Sequence, residues 1–222
     1  MKHSRITALT VAAVMILISG TAQAGLFYVP TAGADKGVLT EIGSLLTTDF
    51  SGGHLKATVT SQAFAYGAGY LYLYQVENTG DENDDVITRF TANPFTQATK
   101  LISMGYLNAN IPSGFIMGDK VPLYGDVNVA AHPTIGFSFP TPNPFLTIPD
   151  LSYIAPGEHS KVLYAQSDLP PGLVSGNVIN GMVHNGQIVG PVPVPEPSTI
   201  VLLIAGLGGL GYALQHRRKF AM

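Results

Sequence analysis

The sequence predicts a mainly β protein: an antiparallel β-sandwich or jelly-roll-like domain with a helical segment at each end. Charged residues are 11% of the 222, against 25 Gly and 16 Pro. Turns are therefore plentiful, while long helices would lack the Lys, Glu and Arg that solvated faces need. Between Gly25 and Gly190 the apolar runs are short, alternating or β-branched, and bounded by Gly, Pro and Asn. No run there has the length and period of a crossover helix, which argues against an α/β plan.

Residues 1–24 read as a secretory signal helix. Lys2 and Arg5 form its positive start, Ile6 to Ser19 its apolar centre, and Ala22 and Ala24 the small residues before a cleavage that leaves Gly25 first. Residues 25–189 then form the ectodomain. A short helix is predicted over Asp35–Leu46. Strands are predicted over Leu55–Phe64, Tyr70–Val76, Val86–Thr91, Val121–Ala130, Thr134–Phe139, Ser160–Gln166 and Gly176–Val183. In Tyr70–Val76, Tyr70, Tyr72, Tyr74 and Val76 share one face and Leu71 and Leu73 the other. A strand apolar on both faces belongs at a sheet centre. Val86–Thr91 is expected to pair with it across the polar loop Asn78–Asp85. Asn185-Gly186 predicts a type I′ hairpin turn leading to Gln187–Val189. Residues 190–197 read as a Pro-rich linker, and 198–222 as a single membrane helix with a basic end. Ile200–Leu214 is uncharged and spans roughly 22 Å as a helix, somewhat short of a hydrocarbon core of about 30 Å. Arg217, Arg218 and Lys219 follow it and hold that end on the cytoplasmic side. The signal peptide independently demands the same orientation.

Composition excludes several function classes. With no Cys, disulfides, thiolate zinc sites and thiol catalysis are ruled out. Between Gly25 and Pro195 there are 13 acidic residues against six basic ones, a net charge of −7. Nucleic acid is therefore not a partner. Gly206, Gly208 and Gly211 fit G-x-G-x-x-G, but the chain ends eleven residues later, without the βαβ unit that motif requires.

Pro191-Val192-Pro193-Val194-Pro195-Glu196-Pro197 stands just before the apolar run and the basic end. This order of three features resembles the PEP-CTERM sorting signal of exosortase-processed bacterial proteins, a tail also called an ice-binding protein C-terminal domain. The resemblance covers about the last 30 residues. It implies that an exosortase-type membrane protease reads the motif at Pro195, Glu196 and Pro197 and removes the tail. It further implies an exported chain whose precursor is anchored in the inner membrane with its ectodomain outside, and whose mature form reaches the cell surface or extracellular matrix. Its partners are then the export machinery and signal peptidase, the sorting protease, the inner membrane transiently, and polysaccharide. Tyr72–Gly80 and Ala155–Ser160 also resemble phrases in sandwich domains of other proteins with this tail.

Within the ectodomain, Asp81, Asn83 and Asp85 match the first three ligand positions of an EF-hand loop. Val86 stands where Gly is required and Ala92 where Glu should be, so the cluster reads as a solvated hairpin tip and no metal or other cofactor is expected. His54, His132, His159 and His184 are too scattered for a zinc motif, and no Gly-x-Ser-x-Gly elbow occurs. The Tyr70, Tyr72, Tyr74 face reads as sheet core before it reads as a sugar platform. The expectation is a non-enzymatic surface or matrix protein, associated with exopolysaccharide or adhesion. Alternatives are a secreted hydrolase of matrix polymer and an ice-binding protein. The last needs Thr rows, yet Thr58 and Thr60 stand between Lys56 and Gln62 on their strand face.

Overall fold

A computed structural model describes residues 26–29, 33–93, 101–128, 134–139 and 153–192. They contain twelve strands: β1 (Leu26–Val29), β2 (Gly33–Ala34), β3 (Thr40–Gly52), β4 (Leu55–Tyr66), β5 (Gly69–Asn78), β6 (Arg89–Asn93), β7 (Leu101–Leu107), β8 (Tyr124–Asn128), β9 (Thr134–Ser138), β10 (Leu163–Ser167), β11 (Pro171–Ile179) and β12 (Val183–Pro191). No helix occurs among the described residues. Both predicted terminal helices lie outside them.

The strands form two six-stranded sheets, ordered β1-β8-β9-β6-β11-β12 and β2-β7-β10-β5-β4-β3. The inner faces meet in one core. Phe50, Val59, Tyr72, Tyr74, Val76, Met104 and Leu163 come from the second sheet, and Phe90, Val127, Ile135, Phe137, Val174, Val178 and Ile188 from the first. Tyr74 packs on Phe90 at 5.3 Å between ring centroids. Burying an aromatic or large aliphatic side chain of this kind contributes about 1.5–3 kcal/mol. The second sheet is covered on its outer face as well, where Phe64, Leu71, Leu73, Leu107, Phe115, Val162 and Tyr164 form a smaller cluster. The two apolar faces of Tyr70–Val76 thus have separate destinations, and β5 lies in the sheet interior between β10 and β4.

The structure corrects the sequence reading at four places. Asp35–Leu46 is not helical; it becomes a loop and the first half of β3. Gly37 and Gly43 hold φ of 68° and 73°, outside the helical region, and β4 offers a ladder to the β-branched Thr40, Ile42, Thr47 and Thr48. Gly43 lies where the β3–β4 register shifts, between Ile42 and Leu46, an irregularity that bends the edge strand.

Val86–Thr91 does not pair with Tyr70–Val76. The chain crosses to the other sheet, and β6 inserts between β9 and β11. This crossing sets Phe90 and Ala92 against the tyrosine face of β5, burying two apolar surfaces that hairpin pairing would leave side by side. Asn185-Gly186 is not a turn. Both lie inside β12, opposite Asn177 and Gly176. The turn is Asn180-Gly181-Met182, where the Met182 N–H donates to Asn180 Oδ1 and Gly181 has φ 111°. Gly186 meets a packing need instead, since a Cβ there would lie 2.7 Å from Phe50 Cζ. Lastly, the sheets are not purely antiparallel: β2 pairs with β7 in parallel over two residues. Gly33 permits this approach, for a Cβ would lie 2.9 Å from the Tyr106 ring.

β12 ends the first sheet, and its free edge meets β3 and β4 of the second. The Thr48 hydroxyl donates to the Gln187 carbonyl, and the Val189 N–H donates to Ser61 Oγ. Side-chain hydroxyls thus satisfy backbone groups that an open edge would leave free.

Candidate functional site

Two regions bear on function: the loop end that carries the acidic cluster, and the end from which the chain leaves the domain. They sit at opposite ends of β12, which runs from the hairpin turn to Pro191.

At the loop end the acidic residues are spent on structure. Asp81 Oδ1 accepts the Asn83 N–H, and Asp84 Oδ2 accepts the Asp81 N–H at 2.9 Å and a Lys56 ammonium proton at 3.0 Å. These contacts hold the Asp84 carboxyl below its ordinary value, the backbone bond first, and raise that of Lys56. Asp85 Oδ2 accepts from Asn180 Nδ2, which ties the loop to the β11–β12 turn. Asp81, Asn83 and Asp85 are therefore not aimed at one point; Asp84, which lies outside the EF-hand pattern, is the hub. Among the described residues no three His, Asp or Glu side chains come close enough to hold a metal ion.

Behind this loop lies a buried polar lattice. Asn78, fully buried, donates through Nδ2 to the carbonyls of Asp85 and Ile154 and accepts the Gly80 N–H at Oδ1. Its own N–H donates to the Glu158 carbonyl, and its carbonyl accepts the Gly157 N–H. Ser160 Oγ accepts the Val76 N–H, and Gln75 Nε2 donates to the carbonyls of Ile116 and Ser160. The two phrases Tyr72–Gly80 and Ala155–Ser160 thus lie against each other, with a bridge between Glu77 and His159. The second phrase finishes the strand row that the first begins.

Two further features follow from strand phase, and a third, at Lys36, does not. On the outer face of the first sheet, Arg89 reaches over Gly136 to Asp126, with Nη1 and Nη2 donating to the two carboxylate oxygens at 2.6 and 2.7 Å and Nη1 also to Ser138 Oγ. A Cβ on Gly136 would meet Arg89 Nη2 at 2.2 Å. Arg89 is one of the few basic residues of the domain, and Asp126 is the only acid in the predicted strand Val121–Ala130, so composition carried a signal for this pair. Lys36 lies over the rings of Tyr164 and Tyr66, 4.4 and 5.1 Å from their centroids, and burial lowers its pKa. No spacing rule links Lys36 to either ring. The Tyr70, Tyr72, Tyr74 face is core: Tyr72 and Tyr74 are fully buried and Tyr70 packs beside them.

His54 is exposed at the β3–β4 turn, His159 Nε2 lies 3.3 Å from Glu77, and His184 lies beside Gly52. These three do not form a cluster; His132 lies outside the described residues. Of the threonines weighed as an ice-binding row, Thr58 donates to Asp49.

At the exit end, β12 includes Gly190 and Pro191, both buried. The sequence reading assigned these two to the linker. The Val192 N–H donates to the Pro170 carbonyl at 2.9 Å, and Val192 packs on the core. Gly172 makes room for it, since a Cβ there would lie 2.7 Å from Val192 Cγ1. The chain is thus held up to residue 192. Pro195, Glu196 and Pro197, the basic residues Arg217, Arg218 and Lys219, and the signal cleavage residues Ala22, Ala24 and Gly25 all lie outside the described residues.

Residues 193–219 match the family model of the PEP-CTERM protein-sorting motif. No curated protein and no solved structure matches the chain. The motif implies an exported, membrane-anchored precursor that is targeted to an exosortase and sorted to the cell surface. Its first residue directly follows Val192, the last of the described residues.

Proposed function

We propose, with the matched sorting motif as premise, that this chain is a non-enzymatic surface or extracellular-matrix protein. A β-sandwich ectodomain is carried across the inner membrane, held there by its C-terminal segment, and released when an exosortase-type protease removes that segment. The observation that carries this reading is the sorting motif at residues 193–219, which follows a β domain whose strand β12 runs to Pro191. Further support comes from the polar groups themselves. Gln75, Asn78, Ser160, Arg89 and Asp126 are each committed to holding loops and strands together, which suits a binding or scaffolding domain. Residues 1–24 supply export as a signal helix, and residues 198–222 supply the temporary membrane helix, with Arg217, Arg218 and Lys219 inside. Association with exopolysaccharide in the matrix is the role that suits this address.

Intact-mass measurement of the secreted protein tests the proposal. A chain that begins at Gly25 and ends near Pro197 is expected. Secreted material that still carries residues through Met222 would overturn the processing step.

A further inference from the structure

The β11–β12 hairpin differs from the rest of the domain in charge. Residues 169–195 contain no Asp, Glu, Lys or Arg, although the domain as a whole is acidic. Its solvent side is nonetheless open: Leu173 is 59% exposed, and Asn185 and Gln187 are exposed beside it. A sheet face turned to water ordinarily carries charged side chains. Here a ligand meets no ion that must first lose its water.

Strand phase sorts the two faces of the hairpin. Val174, Val178 and Ile188 enter the core, so Leu173, Ser175, Asn177, Asn185, Gln187 and Val189 project from the outer face. Leu173 stands opposite Val189, Ser175 opposite Gln187, and Asn177 opposite Asn185. An open depression of about 450 Å³ lies over this stretch, lined by Leu173, Ser175, Asn185 and Gln187 and completed by Val174 and Gly186.

Elsewhere on this face the polar side chains are engaged with one another. Asn177 Nδ2 donates to Thr91 Oγ1, and Arg89 joins Asp126 and Ser138. Among the described residues no hydrogen bond engages the side chains of Ser175, Asn185 or Gln187. Each amide offers two donor protons and an acceptor, and the hydroxyl offers both roles. That set pairs with the adjacent hydroxyls of a sugar ring, while Leu173 and Val189 give its C–H face an apolar seat.

We propose that the depression on the β11–β12 face binds a neutral polysaccharide through Ser175, Asn185 and Gln187. The net charge of −7 between Gly25 and Pro195 repels an acidic polymer, and the hairpin has no basic side chain to hold one. The proposal rests on the matrix association proposed above and gives it a site.

Affinity electrophoresis of the secreted protein tests it, in native gels that contain dextran, galactomannan or xylan as neutral polymers, or alginate as an acidic one. At least one neutral polymer is expected to retard the protein, and alginate is not. Asn185→Ala and Gln187→Ala should each weaken the retardation on the order of fivefold, the effect of losing one net hydrogen bond. Their melting temperatures should stay level, since neither side chain has a partner within the protein to lose. Retardation by a neutral polymer that both variants leave unchanged overturns the site and leaves the matrix association standing. Retardation by alginate alone overturns the neutral ligand. A protein that none of the polymers retards overturns the site and the polysaccharide association together, while the sorting step is read separately by intact mass. A dimer that either variant converts to monomer on size-exclusion chromatography would assign the face to a second copy of the chain and overturn the proposal.

Discussion

Replacing Tyr72 and Tyr74 by Phe, one at a time, removes the same atom from one face of β5 and is expected to move stability in opposite directions. The Tyr72 hydroxyl donates to the Leu169 carbonyl in a buried site. The Tyr74 hydroxyl is buried with no hydrogen-bond partner among the described residues. Tyr72→Phe leaves the Leu169 carbonyl without that donor, at a cost of about 1–3 kcal/mol. Tyr74→Phe removes a polar group whose burial already costs about 1–3 kcal/mol, offset in part by the small void an oxygen leaves, so it is expected to be neutral or to stabilise by about 1 kcal/mol. Urea unfolding of residues 25–197 reads both. At a slope of about 2 kcal/mol per molar, a 2 kcal/mol loss in Tyr72→Phe lowers the midpoint by about 1 M, while the Tyr74→Phe midpoint stays level or rises. Equal losses in the two variants would refute the reasoning, because they would mean that the Tyr74 hydroxyl has a partner.

The same two side chains set an alkaline limit. Burial raises both folded pKa values above the ordinary 10.0, so stability is full below pH 10 and falls as pH climbs above it, where the unfolded chain ionises first. The expected slope is up to about 1.4 kcal/mol per pH unit for each tyrosine, and thermal melts from pH 9 to 11 should show it reduced in either Phe variant. Asp126→Ala leaves the half-buried Arg89 guanidinium without its bidentate partner; the loss should be about 2–3 kcal/mol, below the fully buried range because Arg89 keeps some solvent. Thermal denaturation measures it, and no change would mean that water replaces the carboxylate. Asn78→Asp turns two donations to carbonyls into contacts between acceptors, with an expected cost of 3 kcal/mol or more; near-native amide exchange around Ile154 and Glu158 in this variant would argue against the lattice.

What the sequence made legible follows from period. Alternation across Tyr70–Val76 located an interior strand because two apolar faces require two covers, and the structure supplies both. The tail was legible because its signal is linear, three features in fixed order. Asp35–Leu46 was misread because a short Gly-containing run has weak local preference and the ladder of β4 decides it. Val86–Thr91 was placed beside its sequence neighbour because adjacency in the chain does not report which sheet a strand joins; the Phe90 contact with Tyr74 does. Asn185-Gly186 misled because an Asn-Gly pair serves a turn and a tight packing site equally well, and only the bulk of Phe50 opposite tells them apart. Arg89 and Asp126 stand 37 positions apart, and Lys36 stands 30 and 128 positions from the two rings it covers, beyond any spacing rule.

The hydroxyls of Thr48 and Ser61 along the last strand have a consequence for life outside the cell. Proteins packed into a polymer gel meet copies of themselves constantly, and bare main chain at a sheet margin invites them to stitch together into fibres. Here that margin is hemmed by the protein's own second layer. Neighbouring molecules find no free selvedge along that stretch of β12.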